Sequence, residues 1–414
     1  MQNPKLSPLA SKERKDILDF LRGIAIFGIL LVNISYFNSP VFTQAGGYIL
    51  WDDLSNKITK WLIWFFLEGK FYPLFSILFG AGFYFFIKKA EGSIKPLLIR
   101  YRIRLLYLLL FGILHVLLLW YGDILVVYAI FGFIMTWFAK SSDRTIIIWA
   151  IVFILLPILL TSVMVGSIEL MMMIPEAAVE IEAAFEMQEE HAADFINKAL
   201  SVYSSGTFAD IFKVRINEYL YSVNGIIFMF PNIVSLFLVG FLLGRKKIFH
   251  NISAGVKKLK KVFYWCLPVA VVLNISYVYY GETSSMIRPG WDMVLMITSV
   301  SIGGPAMMMV YLYILSLLYV KGVFKKTGKY ISKAGRMAFT NYLAQSVICT
   351  TIFFSYGLGL YGKINYWQGI LIAIAIYPVQ LLWSHYWLKR FRFGPVEWLW
   401  RTLTYMKIQS FRKD

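Results

Sequence analysis

The chain of 414 residues is 59% hydrophobic and 18% aromatic, and its 41 Lys or Arg against 23 Asp or Glu give a formal net charge of +18. A single core cannot bury so much apolar surface, so the composition excludes a soluble globular protein and predicts a polytopic membrane protein. The basic residues fall in short clusters between apolar stretches, which is typical of cytoplasmic loops and excludes nucleic acid as a partner.

Ten apolar stretches are long enough to cross a bilayer, taking about twenty residues as the rule. They are residues 17–37, 71–87, 103–121, 123–138, 145–165, 223–243, 262–280, 291–318, 337–358 and 367–388. No small-residue cleavage site follows the first of them, so we expect an uncleaved first span rather than a signal peptide. The aromatic segment KITKWLIWFFLEGKF, before the second span, predicts a helix lying at the membrane interface.

The basic loops 88–104, 140–144, 245–261 and 320–336 all fall on the side of the amino terminus, and so does the basic tail. The positive-inside rule therefore predicts that both termini are cytoplasmic. The predicted fold is an all-α polytopic membrane protein of about ten transmembrane helices, with additional interfacial and external amphipathic helices.

Five segments follow from this topology. They are a cytoplasmic amino-terminal segment (1–16), a first transmembrane bundle of about five spans (17–165), an acidic external loop with amphipathic helices (166–218), a second bundle of about five spans (219–388) and a basic cytoplasmic tail (389–414). Ten Asp or Glu stand against three Lys or Arg in 166–218, a composition better suited to the outer side.

Polar groups inside the apolar spans are the candidates for function, because ionisable groups at membrane depth are costly. In GILHVLLLWYGDILVVY, His115 lies well inside a span and Asp123 lies at the turn of a tight hairpin beside Gly122. Because Asp123 lies at the turn and not in mid-membrane, direct contact between the two is not expected. They also differ by about 80° around an ideal helix, so they would need a third partner from elsewhere to bind a metal. Asp123 is also in position to cap the helix that follows it.

Two pairs of polar residues are separated by eleven positions, which is about three helical turns and about 16 Å of rise. Arg22 and Asn33 therefore share a face, as do Arg104 and His115. If the two helices pack together, they would line a path with an arginine-rich inner mouth, which suits a phosphate group. The structural alternatives are headgroup anchoring for Arg22, a topology signal for Arg102 and Arg104, and interhelical hydrogen bonding for Asn33.

Several other residues are weaker candidates. Glu68 and Lys70 lie where they could reach the cavity of Asp123, whereas Asn341 and Gln345 are typical of interhelical hydrogen bonding. The two cysteines, Cys266 and Cys349, have no ligand spacing and are expected to pack in the core; no metal is expected. The common soluble catalytic motifs are not present in the sequence.

Five stretches resemble the YeiB-like bacterial membrane proteins, whose carboxyl-terminal half is the domain of unknown function 418. They are LDFLRGIAIFGILLVNI, EGKFYPLFSILFGAGF, RLLYLLLFGILHVLLLWYGDILVVYAIFG, GRMAFTNYLAQSVICTTIFF and GPVEWLWRTLTY. The family is similar in its opening helices to a superfamily of transmembrane acyltransferases. The resemblance implies a multi-pass protein of the bacterial cytoplasmic (inner) membrane that passes acyl groups from cytoplasmic acyl-CoA to an outer acceptor.

The sugar-acetylating branch of that superfamily has an arginine in its opening helix, matched by Arg22, and a histidine eleven residues later, where this chain has Asn33. Asparagine cannot act as a base, so the mechanism of that branch does not transfer directly. The enzyme hypothesis instead makes His115 the general base.

In this hypothesis Asp123, or Glu68, orients His115, while Arg22, Arg102 and Arg104 hold the phosphates of acetyl-CoA. Asn33 lies deeper on the same path. The acceptor would be a small molecule or a glycan.

Two other functions are compatible with the same residues. The polar path could belong to a transporter with a His/Asp relay, although no internal repeat supports that reading. The acidic loop could also make the protein a sensor or scaffold. The lipid bilayer is an expected partner in every case, and a homo-oligomer remains an option.

Overall fold

The computed structural model describes residues 16–44, 50–90 and 93–413, and at residues 44 and 224–230 it describes the backbone only. Within these ranges every regular element is helical, and the single β-bridge joins Phe391 to Arg412. The predicted amino-terminal segment 1–16 lies outside the described residues, apart from Asp16.

Fifteen α-helices make up the described chain. They are α1 (Asp16–Asn38), α2 (Leu54–Phe66), α3 (Phe71–Ile87), α4 (Lys95–Leu118), α5 (Leu125–Trp137), α6 (Asp143–Met172), α7 (Pro175–Ser205), α8 (Phe208–Arg245), α9 (Ile252–Thr283), α10 (Trp291–Thr298), α11 (Gly304–Val320), α12 (Gly328–Arg336), α13 (Ala338–Phe353), α14 (Tyr366–Arg390) and α15 (Pro395–Tyr405). A π-helical segment, Ser299–Gly303, joins α10 to α11, so the two form one continuous rod.

Seven of these helices or continuous helix pairs are long and apolar enough to cross a membrane, counting the described residues alone. They are Asp16–Asn38, Leu54–Ile87, Lys95–Leu118, Asp143–Met172, Ile252–Thr283, Trp291–Val320 and Tyr366–Arg390. Two shorter apolar helices, Leu125–Lys140 and Pro231–Arg245, coincide with the predicted fourth and sixth spans. The all-helical multi-pass architecture is thus confirmed, whereas the count of ten spans and the side of the termini stay predictions.

The outward faces of the long helices are apolar, as a lipid environment requires. Along α4, for example, Leu106, Leu110 and Ile113 are exposed, while Leu105 and Leu108 on the opposite side are buried. The spacing of each set follows the helical repeat, so one face of α4 is turned to lipid and the other to the bundle.

Glycines allow α3 and α8 to pack backbone to backbone in the centre of the bundle. A Cβ on Gly80 would lie 2.0 Å from the carbonyl oxygen of Phe237, and a Cβ on Gly240 would lie 2.1 Å from that of Ile77. This reciprocal contact is the small-residue packing expected between membrane helices, where close approach replaces the hydrophobic effect as the source of association.

The acidic segment predicted at 166–218 contains α7, a helix of 31 residues. Arg288, which follows α9, bridges to α7 through Glu182 and through Glu189, whose Oε1 lies 2.6 Å from the Arg288 Nε. These ion pairs are partly exposed, so they orient α7 more than they stabilise the fold. The external location of the segment stays a prediction.

Candidate functional site

The hairpin between α4 and α5 brings His115 and Asp123 together. Helix α4 ends at Leu118, and the chain reverses before α5 begins at Leu125. A Cβ on Gly112 would lie 2.6 Å from the Val126 nitrogen, so the glycine lets the start of α5 approach α4 closely. Asp123 Oδ1 accepts a hydrogen bond from that same Val126 N–H at 2.7 Å, which confirms its predicted capping role.

His115 lies between two polar partners, and all three side chains are buried. Its Nδ1 is 2.9 Å from Asp123 Oδ2, and its Nε2 is 2.7 Å from the Oγ of Ser346 on α13. The His115 Nδ1–Asp123 Oδ2 contact is close but does not have the geometry of a hydrogen bond. With the proton on Nδ1, beside the carboxylate, Nε2 would accept from the Ser346 hydroxyl.

The prediction that His115 and Asp123 do not touch is therefore wrong. The prediction took the place of Asp123 at the turn to keep its carboxylate away from the histidine. The helix ends between them, and the reversal at Gly122 turns Asp123 back onto the face that carries His115. A Cβ on Gly122 would lie 2.3 Å from the Trp120 ring, so the turn requires glycine.

A cavity of about 690 Å³ lies beside this hairpin. Its apolar part includes Ile26, Phe79, Leu108 and the two residues nearest the hairpin, Ile124 and Leu125. Its other end, which we call the basic end, carries six Lys or Arg side chains and two carboxylates. These are Arg22, Lys88, Lys89, Arg104, Arg336 and Arg401, with Asp19 and Glu397.

The predicted cofactor residues divide into two groups. Arg22 and Arg104 both line the cavity; Arg22 is 2.9 Å from Asp19, and the Arg104 guanidinium lies 3.9 Å from the centroid of the Trp400 ring. Arg102 is exposed and donates from Nε to Thr136 at 3.2 Å, so it lies outside the cavity. Asn33 is half-buried on α1 and does not line the cavity either.

Glu68 lies in a different polar cluster from His115. The hydroxyl of Tyr36 donates to Glu68 Oε1 at 2.7 Å, and the Lys70 ammonium donates to the carbonyl of Trp64. Neither Glu68 nor Lys70 lines the cavity. Of the two residues expected to orient His115, the structure brings only Asp123 into contact with it.

The wall between the cavity and His115 is Tyr342, one helical turn before Ser346 on α13. The Tyr342 ring lines the cavity, its centroid lies 5.2 Å from that of the imidazole, and its hydroxyl donates to the Gly122 carbonyl at 3.2 Å. The His115 site therefore lies directly behind the apolar part of the cavity, one side chain away.

The basic end depends on the tail helix α15. Glu397 accepts from the backbone N–H groups of Phe339 and Thr340 at 2.8 and 3.0 Å and from the Thr340 hydroxyl at 2.6 Å, so it caps α13 from outside. Burial raises the pKa of Glu397 above its ordinary value, in spite of these donors. The GPVEW and GRMAFTNY stretches are thus two halves of one contact, and this contact brings Arg401 to the cavity.

Sequence reasoning missed Ser346, Tyr342, Glu397, Arg336 and Arg401. A signal for Ser346 was present, because QS interrupts an apolar span one turn after a tyrosine. The arginines were indistinguishable from ordinary topology signals.

The prediction of interhelical hydrogen bonding for Asn341 and Gln345 is confirmed. Asn341 donates to Ser384 Oγ at 2.9 Å, and Gln345 donates to Gln380 Oε1 at 2.9 Å. Over the described part of the chain, no three His, Cys, Asp or Glu side chains are grouped as a metal site would need.

The fold and the site define a polytopic α-helical membrane protein with a buried Ser–His–Asp arrangement behind a ligand-sized cavity. Residues 243–407 match the family described as protein of unknown function (DUF418). The chain is 35% identical over 425 residues to the uncharacterized protein YxaH of Bacillus subtilis (strain 168), covering 99% of this chain and 98% of that protein. It is 29% identical over 407 residues to the uncharacterized protein YeiB of Escherichia coli (strain K12), covering 95% of this chain and 96% of that protein.

The chain belongs to the YeiB-like family of membrane proteins. No solved structure matches it significantly.

Proposed function

We propose that the protein is an integral-membrane acyltransferase that moves an acyl group from cytoplasmic acyl-CoA to an acceptor at the outer membrane face. The observation that carries this proposal is the cavity, which is basic at one end and ends within one side chain of His115 at the other. A ligand that is anionic at one end and apolar at the other matches this distribution.

Acyl-CoA fits the residues present. The cavity volume of about 690 Å³ is in the range of small-molecule and cofactor sites. Arg22, Arg104, Arg336 and Arg401 would hold the phosphates, because guanidinium groups donate to phosphate in a planar fork. The apolar wall would hold the pantetheine and acyl portion, with the thioester nearest Tyr342.

In the predicted topology of ten spans with both termini cytoplasmic, the basic end of the cavity faces the cytoplasm. Five of its six basic residues, all except Arg22, come from the loops and the tail that the positive-inside rule places in the cytoplasm. In a bacterial cytoplasmic membrane the donor would then enter from within, and the acceptor, a small molecule or glycan, would approach His115 from outside.

His115 is the general base in this proposal, and Asp123 holds its proton on Nδ1. A histidine is suited to the task because its ordinary pKa is close to neutrality. In this proposal the chain does not need the histidine that the sugar-acetylating branch has at the position of Asn33. Asn33 lies outside the cavity, and the base is His115 instead.

The test is incubation of the purified protein with radiolabelled acetyl-CoA, measuring released CoA and label in the protein or in extracted membrane acceptors. We expect the wild type to release CoA, His115→Ala to lose at least about 100-fold in rate, and His191→Ala, an exposed residue of α7, to behave as wild type. Absence of both CoA release and label in folded wild-type protein would rule out the proposal.

A transporter is the second candidate, favoured by one observation. His115, Asp123 and Ser346 form a continuous buried polar series behind the cavity, which could relay protons. Proteoliposome uptake of a solute that is lost in His115→Ala, combined with no binding of CoA by calorimetry, would favour transport over acyl transfer.

A further inference from the structure

We infer that Ser346 is a covalent acyl carrier: its hydroxyl takes the acyl group from the donor and passes it to the acceptor. This inference rests on the proposed function and assigns a reaction intermediate and a nucleophile to it. The sequence suggested only a base and an orienting carboxylate.

The geometry is that of an activated nucleophile. Ser346 Oγ lies 2.7 Å from His115 Nε2, and Asp123 Oδ2 lies 2.9 Å from His115 Nδ1. Nucleophile, base and orienting carboxylate are recognised by this relationship rather than by their order in the sequence. The three groups come from α13, α4 and the α4–α5 hairpin, so the tertiary fold alone assembles them.

The position of Ser346 fits a carrier. It follows Tyr342 by four residues and lies on the same side of α13. Tyr342 faces the cavity, and Ser346 faces the imidazole behind it. A group held on Ser346 would therefore lie between the donor cavity and the far side of the site, provided that the Tyr342 ring moves aside. A covalent intermediate separates the two half-reactions, so donor and acceptor need not be bound at the same point.

A second observation concerns Trp120. Its ring lies edge-on to His115, with centroids 6.5 Å apart, and the Trp120 indole N–H is buried without a hydrogen-bond partner. A buried donor without a partner is costly unless a ligand completes it. The carbonyl oxygen of an acyl group at this site would be a suitable acceptor for that N–H, and it would gain stabilisation as negative charge develops on it.

The chemistry balances in two steps. In the first, Ser346 Oγ attacks the thioester carbonyl, its proton moves to His115 Nε2, the carbon–sulfur bond breaks, and CoA leaves as the thiol after taking that proton. In the second, an acceptor hydroxyl or amine attacks the seryl ester, its proton moves to Nε2, and the bond to Oγ breaks as Ser346 recovers a proton. No oxidant, reductant or metal is required.

The experiment is incubation of the full-length protein with acetyl-CoA and no acceptor, followed by peptide mass spectrometry and measurement of released CoA. We expect a burst of about one CoA per protein and one acetyl group on Ser346. Ser346→Ala and His115→Ala should lose both signals. Ser346→Cys should carry a thioester that neutral hydroxylamine removes, which distinguishes a nucleophile from a residue that only positions His115.

The control is Ser235→Ala, which removes another buried serine, one that donates to the Ala150 carbonyl at 2.7 Å in a different part of the bundle. Its burst should equal that of the wild type. A folded Ser346→Ala variant that still gives the burst, or an acetyl group that maps to His115, would overturn the carrier role while leaving acyl transfer standing. Wild-type protein that neither releases CoA nor gains an acetyl group would overturn both.

Discussion

His115 Nδ1 and Asp123 Oδ2 lie 2.9 Å apart although eight residues and a chain reversal separate them. The reversal at Gly122 folds the carboxylate back against the imidazole, while the other oxygen of the same carboxylate holds the first turn of α5. One aspartate thus fixes both the local fold and the orientation of the proposed base.

This double role makes Asp123→Asn informative. We expect CoA release to fall by roughly 10²–10⁴-fold, because the amide can donate to Nδ1 and so favours the wrong imidazole tautomer. Thermal unfolding should change little, since Asn still accepts from Val126. Asp123→Ala should lose the same activity and, in addition, about 1 kcal/mol of stability through the missing cap. Wild-type rates in Asp123→Asn would show that the contact is structural only.

Arg104 and Arg102, two residues apart on α4, form a matched pair for the donor site. We expect Arg104→Ala to weaken acetyl-CoA binding by about 10–100-fold, which corresponds to the loss of one charge-assisted hydrogen bond of roughly 1.5–3 kcal/mol. Arg102→Ala should bind as the wild type does, because its guanidinium contacts Thr136 outside the cavity. Calorimetry at two salt concentrations measures both. Equal losses in the two variants would place the phosphates elsewhere.

The contact between α3 and α8 can be tested with glycine substitutions. Gly80→Ala should lower stability by about 1–3 kcal/mol, because the new methyl group would meet the Phe237 carbonyl oxygen and force the two helices apart. Gly166→Ala in α6, where no atom lies within 4 Å of the added group, should be neutral or slightly stabilising. Unfolding temperatures in detergent compare the two. A Gly80→Ala variant as stable as Gly166→Ala would contradict the close packing.

Glu397 couples the tail helix to the proposed donor site. Glu397→Ala leaves the Phe339 and Thr340 N–H groups without their partner, so we expect a loss of about 1–3 kcal/mol. The control Glu176→Ala, at an exposed position of α7, should lower the free energy of unfolding by less than about 0.5 kcal/mol.

The pH dependence of the Glu397 variant has a definite sign. Because burial raises the folded-state pKa of this carboxyl above its ordinary value of 4.5, the folded protein binds a proton more readily than the unfolded chain. The wild type should therefore gain stability relative to Glu397→Gln as the pH falls through the window just above 4.5. Unfolding curves across this window provide the measurement. A difference that stays constant with pH, or one of opposite sign, would contradict a buried carboxyl at this contact.

Much of the architecture could be predicted from the sequence. Span length, hydropathy and loop charge predicted an all-helical multi-pass protein, since a bilayer admits few solutions for the backbone. The residues of GILHVLLLWYGDILVVY were recognised as functional candidates for the same reason. His115, Arg22 and Arg104 were chosen because charge and polarity at membrane depth are conspicuous.

The composition of the site was harder to predict. Arg102 and Arg104 look alike in sequence, yet one faces Thr136 and the other faces the cavity, since a rotation of about 200° separates them on the helix. Both Glu68 and Asp123 were expected to reach His115. Only Asp123 contacts it, because the hairpin turn brings its carboxylate to the imidazole. Ser346 lies 231 residues from its partner.

The sequence alone therefore determined the apolar helices, the basic loops and the few polar residues within the spans that are candidates for function, because burying a polar group in a membrane is energetically costly. The tertiary structure decided which of those polar residues meet. The packing of α13 against the α4–α5 hairpin places Ser346 and Asp123 on either side of His115, each within 3 Å of one of its ring nitrogens, and the docking of α15 places Arg401 at the cavity. Such contacts depend on helix rotation and on close approach at glycines, and neither is encoded in the pattern of any single helix.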